Sequence, residues 1–191
     1  MPRLFILSGC NGSGKTTASY SLLPEMLECT EFVNSDEFAK SLSPFDPSQA
    51  SVSASRYMLM KIRYLLSRRA NFSIETTLAT RSLLGIIQQA KTLGYSVTVI
   101  YFWIDSPEKA IERVRKRVAS GGHHIPDDVV RRRYKMGLSY LFSTYIPICD
   151  RWMLADNTIS PFTVVAEGTA NETFIRDEDK FKIIQAIANE G

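Results

Sequence analysis

The sequence has few of the residues and segments that mark several classes of protein. It contains only three cysteines, Cys10, Cys29 and Cys149, and their wide spacing forms neither a disulfide framework nor a CxxC metal pair. We therefore expect reduced thiols in a reducing compartment. No apolar run approaches the ~20 residues that a membrane-spanning helix needs. The run at residues 4–7 is too short for a secretory signal, so we expect a cytoplasmic protein without a membrane partner.

Excess charge of one sign is also lacking. The formal net charge is +3, which gives no case for a nucleic-acid partner. The basic residues are nevertheless concentrated between Arg113 and Lys135, and such a local basic wall favours an anionic ligand over a duplex. The 45% hydrophobic and 23% charged residues are ordinary for a globular protein, and the length predicts one domain over residues 1–191.

Short β-like runs alternate with longer helical segments along the chain. This alternation predicts βαβ units and hence an α/β fold with a mainly parallel sheet between layers of helices. The predicted strands lie at residues 4–7, 31–34, 71–75, 96–104 and 152–154, with a hairpin strand at 163–167. The predicted helices cover residues 15–27, 49–69, 81–93 and 107–118, with one beginning at Pro126 and a terminal one at Glu178.

A phosphate-binding motif follows the first predicted strand. Residues 9–16 read Gly-Cys-Asn-Gly-Ser-Gly-Lys-Thr and match the pattern G-x-x-x-x-G-K-[ST] without a mismatch. Gly9, Gly12 and Gly14 allow a tight turn whose N–H groups point at phosphate oxygens, and the following helix adds its positive end. Lys15 is expected to reach the β- and γ-phosphates, and Thr16 to bind Mg²⁺. The motif predicts a nucleoside triphosphate, ATP or GTP, with Mg²⁺.

Two acidic residues follow predicted strands at the edge where a parallel sheet binds its ligand. Asp36 suits a base that orients an acceptor hydroxyl and takes its proton, although Ser35 or Asp36 would also serve as a helix N-cap. Glu75 is the last residue of an apolar strand, where burying a charge costs free energy that a purely structural role would not explain. We expect it to support the metal ion or to bind the substrate beside it.

A glycine pair flanked by arginines predicts a mobile lid at about residues 113–135. Gly121 and Gly122 separate a helix from a second arginine-rich segment. Such a lid would exclude water and neutralise phosphate charge, which the rigid guanidinium fork suits. The predicted phosphate-contacting side chains are Arg113, Arg117, and Arg132 or Arg133. For His123, a hinge or substrate contact is favoured over metal binding, because no acidic or cysteine partner stands at metal spacing.

Taken together, these motifs are similar to those of the short, single-domain branch of the zeta-toxin family. The resemblance extends from residue 4 to about residue 158. It rests on Asn-Gly-Ser-Gly-Lys-Thr-Thr at 11–17, Asn-Ser-Asp at 34–36, Ile-Glu-Thr-Thr at 74–77, Gly-Gly-His-His-Ile-Pro at 121–126, Arg-Arg-Arg-Tyr at 131–134 and Asp156-Asn157.

The resemblance implies a P-loop kinase core with a five-stranded, mainly parallel sheet. It implies transfer of the γ-phosphoryl group to a sugar hydroxyl, with UDP-N-acetylglucosamine as the acceptor of characterised toxins. Asp36 would be the general base, and Glu75, Thr76 and His123 would contact the substrate. The implied nucleotide-binding residues are Gly9, Asn11, Gly12, Ser13, Gly14, Lys15, Thr16, Thr17, Asp156 and Asn157. An antitoxin partner is compatible with the resemblance, but no segment indicates one.

Other functions remain open at this point. The acceptor of a small-molecule kinase would equally be a nucleoside, a sugar acid or an antibiotic hydroxyl. A different class is a nucleotide-dependent switch that acts on a protein partner. A switch would not require the pair of Asp36 and Glu75 together with an arginine-rich lid, so the sequence favours the kinase.

Overall fold

The computed structural model describes residues 1–23, 27–44, 46, 49–119, 122 and 124–190, and within them strands and helices alternate. The strands are β1 (Arg3–Ser8), β2 (Glu31–Val33), β3 (Phe72–Thr76), β4 (Ser96–Trp103), β5 (Arg151–Asp156), β6 (Thr163–Gly168) and β7 (Thr173–Ile175). The α-helices are α1 (Lys15–Ser21), α2 (Ser35–Leu42), α3 (Ser51–Ser67), α4 (Leu84–Thr92), α5 (Pro107–Ala119), α6 (Asp127–Tyr140) and α7 (Glu178–Asn189).

All of these strands form one sheet in the order β2-β3-β1-β4-β5-β6-β7. The first five of that order are mutually parallel, as predicted, but β6 and β7 extend the sheet with antiparallel pairs. The sheet therefore has seven strands rather than five. The short β7 was not predicted because its three residues, two of them exposed, carry no apolar run.

The core lies on both faces of the sheet, which gives the α/β fold three layers. Successive residues of β1 alternate between the two faces, as strand geometry requires. Leu4 and Ile6 belong to the larger apolar cluster, with α3, α4, α5, α6 and α7, whereas Phe5 and Leu7 belong to the smaller cluster with α1. The strand β4 is buried almost throughout, which explains its near-continuous apolar run.

The helix α2 begins directly after β2 because Asn34 caps it. The Asn34 Oδ1 atom accepts hydrogen bonds from the N–H groups of Asp36 at 2.9 Å and Glu37 at 3.3 Å. The alternative that Ser35 or Asp36 caps this helix is therefore wrong, and the Asp36 side chain is not used for capping. At the far end of the chain, Asp177 caps α7 in the same way.

The predicted lid region is built from α5 and α6. The helix α6 continues through a π-helical turn (Leu141–Tyr145) and a 3₁₀ turn (Ile146–Ile148). The N–H of Gly122 donates to the Arg117 carbonyl at 2.9 Å and closes α5. Gly121 and His123 lie outside the described residues. No helix in the described part of the chain combines the length and apolar character that crossing a bilayer requires.

Candidate active site

The predicted phosphate-binding loop connects β1 to α1. Gly12 and Gly14 adopt left-handed backbone angles, with φ of 84° and 82°. A Cβ on Gly12 would lie 2.2 Å from the Ala110 carbonyl oxygen, and one on Gly14 would lie 2.5 Å from Asn157 Nδ2. Both contacts require glycine, because the loop packs against the start of α5 and against the segment after β5.

Lys15, Thr16 and Glu75 form one hydrogen-bonded group at the end of this loop. The Thr16 Oγ1 donates to Glu75 Oε1 at 2.9 Å, and Lys15 Nζ lies 3.8 Å from the same oxygen. The Lys15 and Glu75 side chains are only 8% and 7% exposed. Lys15 Nζ also donates to the Cys10 carbonyl at 3.3 Å. The structure therefore brings the predicted phosphate-binding lysine beside both predicted metal ligands.

Two buried polar atoms of the loop region have no hydrogen-bond partner among the described residues: Ser13 Oγ and Glu75 Oε2. Burial raises the pKa of Glu75, and the opposing effects of Lys15 and the Thr16 hydroxyl only partly offset it. Unpaired buried polar atoms are rare in folded proteins, and a bound ion, ligand or water is one way in which such atoms are satisfied. The hydroxyl of Thr16 and the carboxylate of Glu75 are hard oxygen donors of the kind that Mg²⁺ prefers, so these residues fit a triphosphate with its metal ion.

Asp36 lines a polar pocket of about 180 Å³ together with Lys15 and Glu75 of this group. The pocket opens at the carboxyl ends of β2 and β3, where the sequence placed both acids. The residues that line it are Asn11, Lys15, Asn34, Ser35, Asp36, Met58, Ile74, Glu75, Thr76, Thr77, Ser82, Leu83 and Arg133. The pocket thus joins the phosphate-binding lysine, the predicted base, and the predicted substrate residues Glu75 and Thr76.

Arg133 reaches the same pocket from α6. Its Nη1 donates to Asn11 Oδ1 at 2.8 Å, a contact between residues 122 positions apart. Burial lowers the pKa of Arg133, and the nearby Asp36 carboxylate acts in the opposite direction. Of the alternatives Arg132 and Arg133, only Arg133 lines this pocket. Arg132, which directly precedes it on α6, is exposed.

Arg113 contacts the segment after β5. Its Nη1 and Nη2 donate to the carbonyl oxygens of Asn157 at 3.0 Å and Thr158 at 2.6 Å. Asn157 Nδ2 in turn donates to the Ser13 carbonyl at 2.7 Å. Arg113 therefore holds this segment against the phosphate-binding loop, and its contact with phosphate stays a prediction.

A second cavity, of about 390 Å³, lies on the other side of the loop. It is lined by Gly14, Thr17, Ala18, Arg113, Asn157, Ser160, Pro161 and Phe162. The cavity lies beside Thr17 and Asn157, and binding of the nucleotide base here stays a prediction.

Asp156 is not among the residues that line either cavity, and its carboxylate is bonded to other partners. Its carboxylate accepts from the Thr158 N–H at 2.8 Å and lies 2.9 Å from Lys180 Nζ of α7. Burial acts to raise the pKa of Asp156, but the hydrogen bonds from Thr158 and Lys180 outweigh it and lower the pKa. Asp156 thereby shapes the segment that carries Asn157.

The remaining predicted residues lie outside the two cavities or outside the described chain. Arg117 is exposed on α5 next to Gly122. His123 lies outside the described residues, so its substrate contact stays a prediction. Much of the basic wall forms surface ion pairs, including Arg115 with Asp127 and Arg131 with Glu108.

Several residues at the site were not predicted from the sequence. Thr77 and Ser82 line the polar pocket, yet hydroxyl residues in a loop carry no signal by themselves. Lys180 had no signal either, because its partner Asp156 is 24 positions away in the chain. Asn34, in contrast, was readable, since an asparagine directly before Ser-Asp-Glu is a standard N-cap arrangement.

The parallel sheet with a strand–glycine loop–helix unit and a buried lysine defines a P-loop domain with the fold of the P-loop kinases. A family model described as "AAA domain" matches residues 4–137. The chain therefore belongs to this AAA-domain family.

Comparisons with individual proteins agree with that assignment. An uncharacterized protein of Haemophilus influenzae is 32% identical over 126 residues, which cover 66% of this chain and 88% of the relative. The crystal structure of AvrRxo1-ORF1:-ORF2 with ATP matches with a TM-score of 0.79 at 21% identity, covering 96% of this chain. This chain spans 63% of the length of that matched chain.

A third match comes from a toxin–antitoxin system. The PezAT system of Streptococcus pneumoniae has a TM-score of 0.66 at 18% identity, and the match covers 100% of this chain and 87% of the other. The predicted resemblance to zeta toxins is thus confirmed at the level of the fold.

Proposed function

We propose that this protein is a phosphotransferase that moves the γ-phosphoryl group of ATP, with Mg²⁺, to a hydroxyl group of a small molecule. The observation that carries the proposal is the polar pocket, in which Lys15, Asp36, Glu75 and Arg133 meet. A nucleotide-dependent switch does not need a carboxylate facing the phosphate-binding lysine across a cavity. A kinase does, because the attacking hydroxyl must be oriented and must lose its proton.

In this proposal the nucleotide lies along the glycine loop, with its base in the cavity beside Asn157. That placement is supported by the unpaired Ser13 Oγ and by the structural neighbour that contains ATP. When bound, Mg²⁺ would neutralise phosphate charge, and Thr16 and Glu75 are the residues that would hold it directly or through water. Lys15 binds the β- and γ-phosphates.

The transfer step takes place in the polar pocket. The Asp36 carboxylate accepts the proton of the acceptor hydroxyl as its oxygen attacks the γ-phosphorus. The bond between that phosphorus and the β–γ bridging oxygen breaks, so ADP leaves and the phosphorylated acceptor forms. Arg133 neutralises charge on the transferred group, because its planar fork binds two oxygens together.

The test is ADP release from ATP and Mg²⁺ in the presence and absence of acceptor candidates, for wild type, Asp36→Asn and Lys15→Ala. We expect acceptor-stimulated turnover in wild type and at least ~100-fold less in both variants. ATP binding, measured by calorimetry, should persist in Asp36→Asn and be lost in Lys15→Ala. Glu37→Gln, on the next position of α2, is the matched control and should retain turnover.

Two outcomes would contradict the proposal. One is slow hydrolysis that no acceptor stimulates and that Asp36→Asn leaves unchanged, which would favour the nucleotide switch. The other is full transfer activity in Asp36→Asn, which would remove Asp36 as the base. Whether the phosphoryl donor is ATP or GTP follows from the same assay with each nucleotide. A toxin role would be tested separately, by the growth of cells that express wild type or Lys15→Ala.

A further inference from the structure

The geometry points to an acceptor that is uncharged, hydroxyl-rich and about the size of a monosaccharide. This inference rests on the proposed function and narrows its acceptor. It differs from a UDP-sugar, which carries a diphosphate, and from a sugar acid, which carries a carboxylate.

The charges that line the polar pocket leave none for an anionic acceptor. Within the described chain, the cations that line it are Lys15 and Arg133. Lys15 lies in the phosphate-binding loop and Arg133 is bonded to Asn11 of the same loop, so both stand on the nucleotide side. Every Lys and Arg of the sequence lies within the described residues. A diphosphate here would face the Asp36 carboxylate without a counter-charge of its own, which is unfavourable in a partly buried site.

The wall opposite the phosphate-binding loop is neutral and polar. The hydroxyl residues Ser35, Thr76, Thr77 and Ser82 line it. The Thr76 hydroxyl accepts from the Leu78 N–H at 3.1 Å and keeps its own proton to donate, and the Ser82 hydroxyl is bonded to that of Thr80 at 2.8 Å. A hydroxyl both donates and accepts, so such a wall matches the alternating donors and acceptors of a polyol. Met58, Ile74 and Leu83 give an apolar surface for the C–H face of a ring.

The volume of the pocket limits the acceptor further. At about 180 Å³ it is smaller than the ~300–1,000 Å³ of pockets that hold drug-sized ligands. That space suits one sugar ring, and a nucleotide sugar would have to extend beyond the polar pocket. Asn34 and Met58 also line an adjacent cleft, in which the rings of Phe38 and Tyr57 stack on each other at 3.8 Å. The charged residues of that cleft are Glu37 and Lys61, and Lys61 is already paired with Glu31 at 3.1 Å. Turnover of nucleosides in the experiment below would show whether an acceptor extends into that cleft.

The experiment measures ADP release with four acceptor classes: neutral monosaccharides and polyols, sugar acids, nucleosides and UDP-sugars. Only turnover that is lost in both Lys15→Ala and Asp36→Asn is counted. We expect kcat/KM for the best neutral monosaccharide or polyol to exceed that of any member of the other classes by at least ~100-fold, which corresponds to two unfavourable ionic or steric contacts. Ser82→Lys places a cation on the neutral wall and should raise turnover of sugar acids at least ~10-fold. Thr92→Lys, exposed on α4 away from the pocket, is the charge-matched control and should leave the preference unchanged.

The results separate this inference from the proposed function. If a UDP-sugar, sugar acid or nucleoside is the best acceptor and its turnover needs Lys15 and Asp36, the inference fails and the phosphotransferase stands. If no acceptor of any class gives such turnover, the proposed function itself fails and the inference falls with it. If Ser82→Lys leaves the turnover of sugar acids unchanged, then the lack of a cation on the neutral wall is not what disfavours anionic acceptors. The part of the inference that rests on charge is then overturned.

Discussion

Arg133 of α6 donates a hydrogen bond from Nη1 to the Asn11 Oδ1 atom of the phosphate-binding loop at 2.8 Å. The contact ties the predicted lid to the nucleotide site and fixes the direction of the guanidinium group. Arg133 is half-buried and bonded in this way without any ligand, so the group is already oriented toward the pocket that contains Asp36. Such an arrangement reduces the reorganisation that a catalytic arginine would otherwise need.

Asn11→Ala should reduce kcat more than it weakens ATP binding. A hydrogen bond to a charged group contributes about 1.5–3 kcal/mol, so kcat should fall by about 10–100-fold when Arg133 loses its orientation. Steady-state kinetics with ATP as the varied substrate, together with calorimetric ATP affinity, would measure the split. The double variant with Arg133→Ala should show little further loss, because the two residues act as a unit. Arg131→Ala, which removes an exposed pair with Glu108, is the control. Additive losses in the double variant would mean that Asn11 does not act through Arg133.

Glu75 should make the stability of the protein depend on pH. Because burial raises its pKa in the folded state, the native protein binds the Glu75 proton more tightly than the unfolded chain does. The Glu75 contribution therefore favours folding below its ordinary pKa and declines as the pH rises through the raised pKa. The free energy of unfolding of wild type relative to Glu75→Gln should therefore fall as the pH rises above the ordinary pKa of a glutamate, about 4.3.

Urea unfolding of both proteins at several pH values would measure this difference. Glu172→Gln, at an exposed position, is the matched control and should show no such trend. A difference between wild type and Glu75→Gln that is constant with pH would show that burial does not perturb this carboxyl group. ATP with Mg²⁺ should reduce the trend, because cations beside Glu75 favour its ionised form.

Lys180→Met should weaken nucleotide binding from a distance. Loss of the ammonium leaves the buried Asp156 carboxylate with only its Thr158 contact, and the segment that carries Asn157 loses a fixed point. We expect the KM for ATP to rise about fivefold, the equivalent of ~1 kcal/mol, with the KM for the acceptor unchanged. Arg176→Ala, which removes the exposed pair with Glu167, should change neither constant. Equal changes in both KM values would indicate a general loss of structure instead.

The three thiols should react slowly in the folded protein. Burial raises the pKa of Cys10 to about 11, and burial together with the Asp150 charge raises that of Cys149 to about 11. Burial also raises the pKa of Cys29. Since the thiolate is the reactive form, modification by DTNB at pH 8 should be at least ~100-fold slower than in urea. A fast reaction of one thiol that ATP prevents would show that Cys10 is accessible from the nucleotide site.

Much of this protein was readable from local patterns. The alternation of apolar strands and helices predicted the five parallel strands, and an eight-residue motif located the phosphate-binding loop. Asp36 and Glu75 were predicted to lie close together because the ends of parallel strands meet at one edge of the sheet, and both residues line the polar pocket. These features depend on residues that are close in sequence or on a general rule of parallel sheets.

Contacts between distant segments were decided only by the tertiary structure. Whether Arg132 or Arg133 enters the pocket depends on the rotation of α6 against the sheet, which charge pattern alone does not determine. The contacts of Arg113 with residues 157 and 158, of Arg133 with Asn11, and of Lys180 with Asp156 join residues up to 122 positions apart. Packing of the two faces of the sheet places those residues side by side, and no local propensity encodes which partner each one meets.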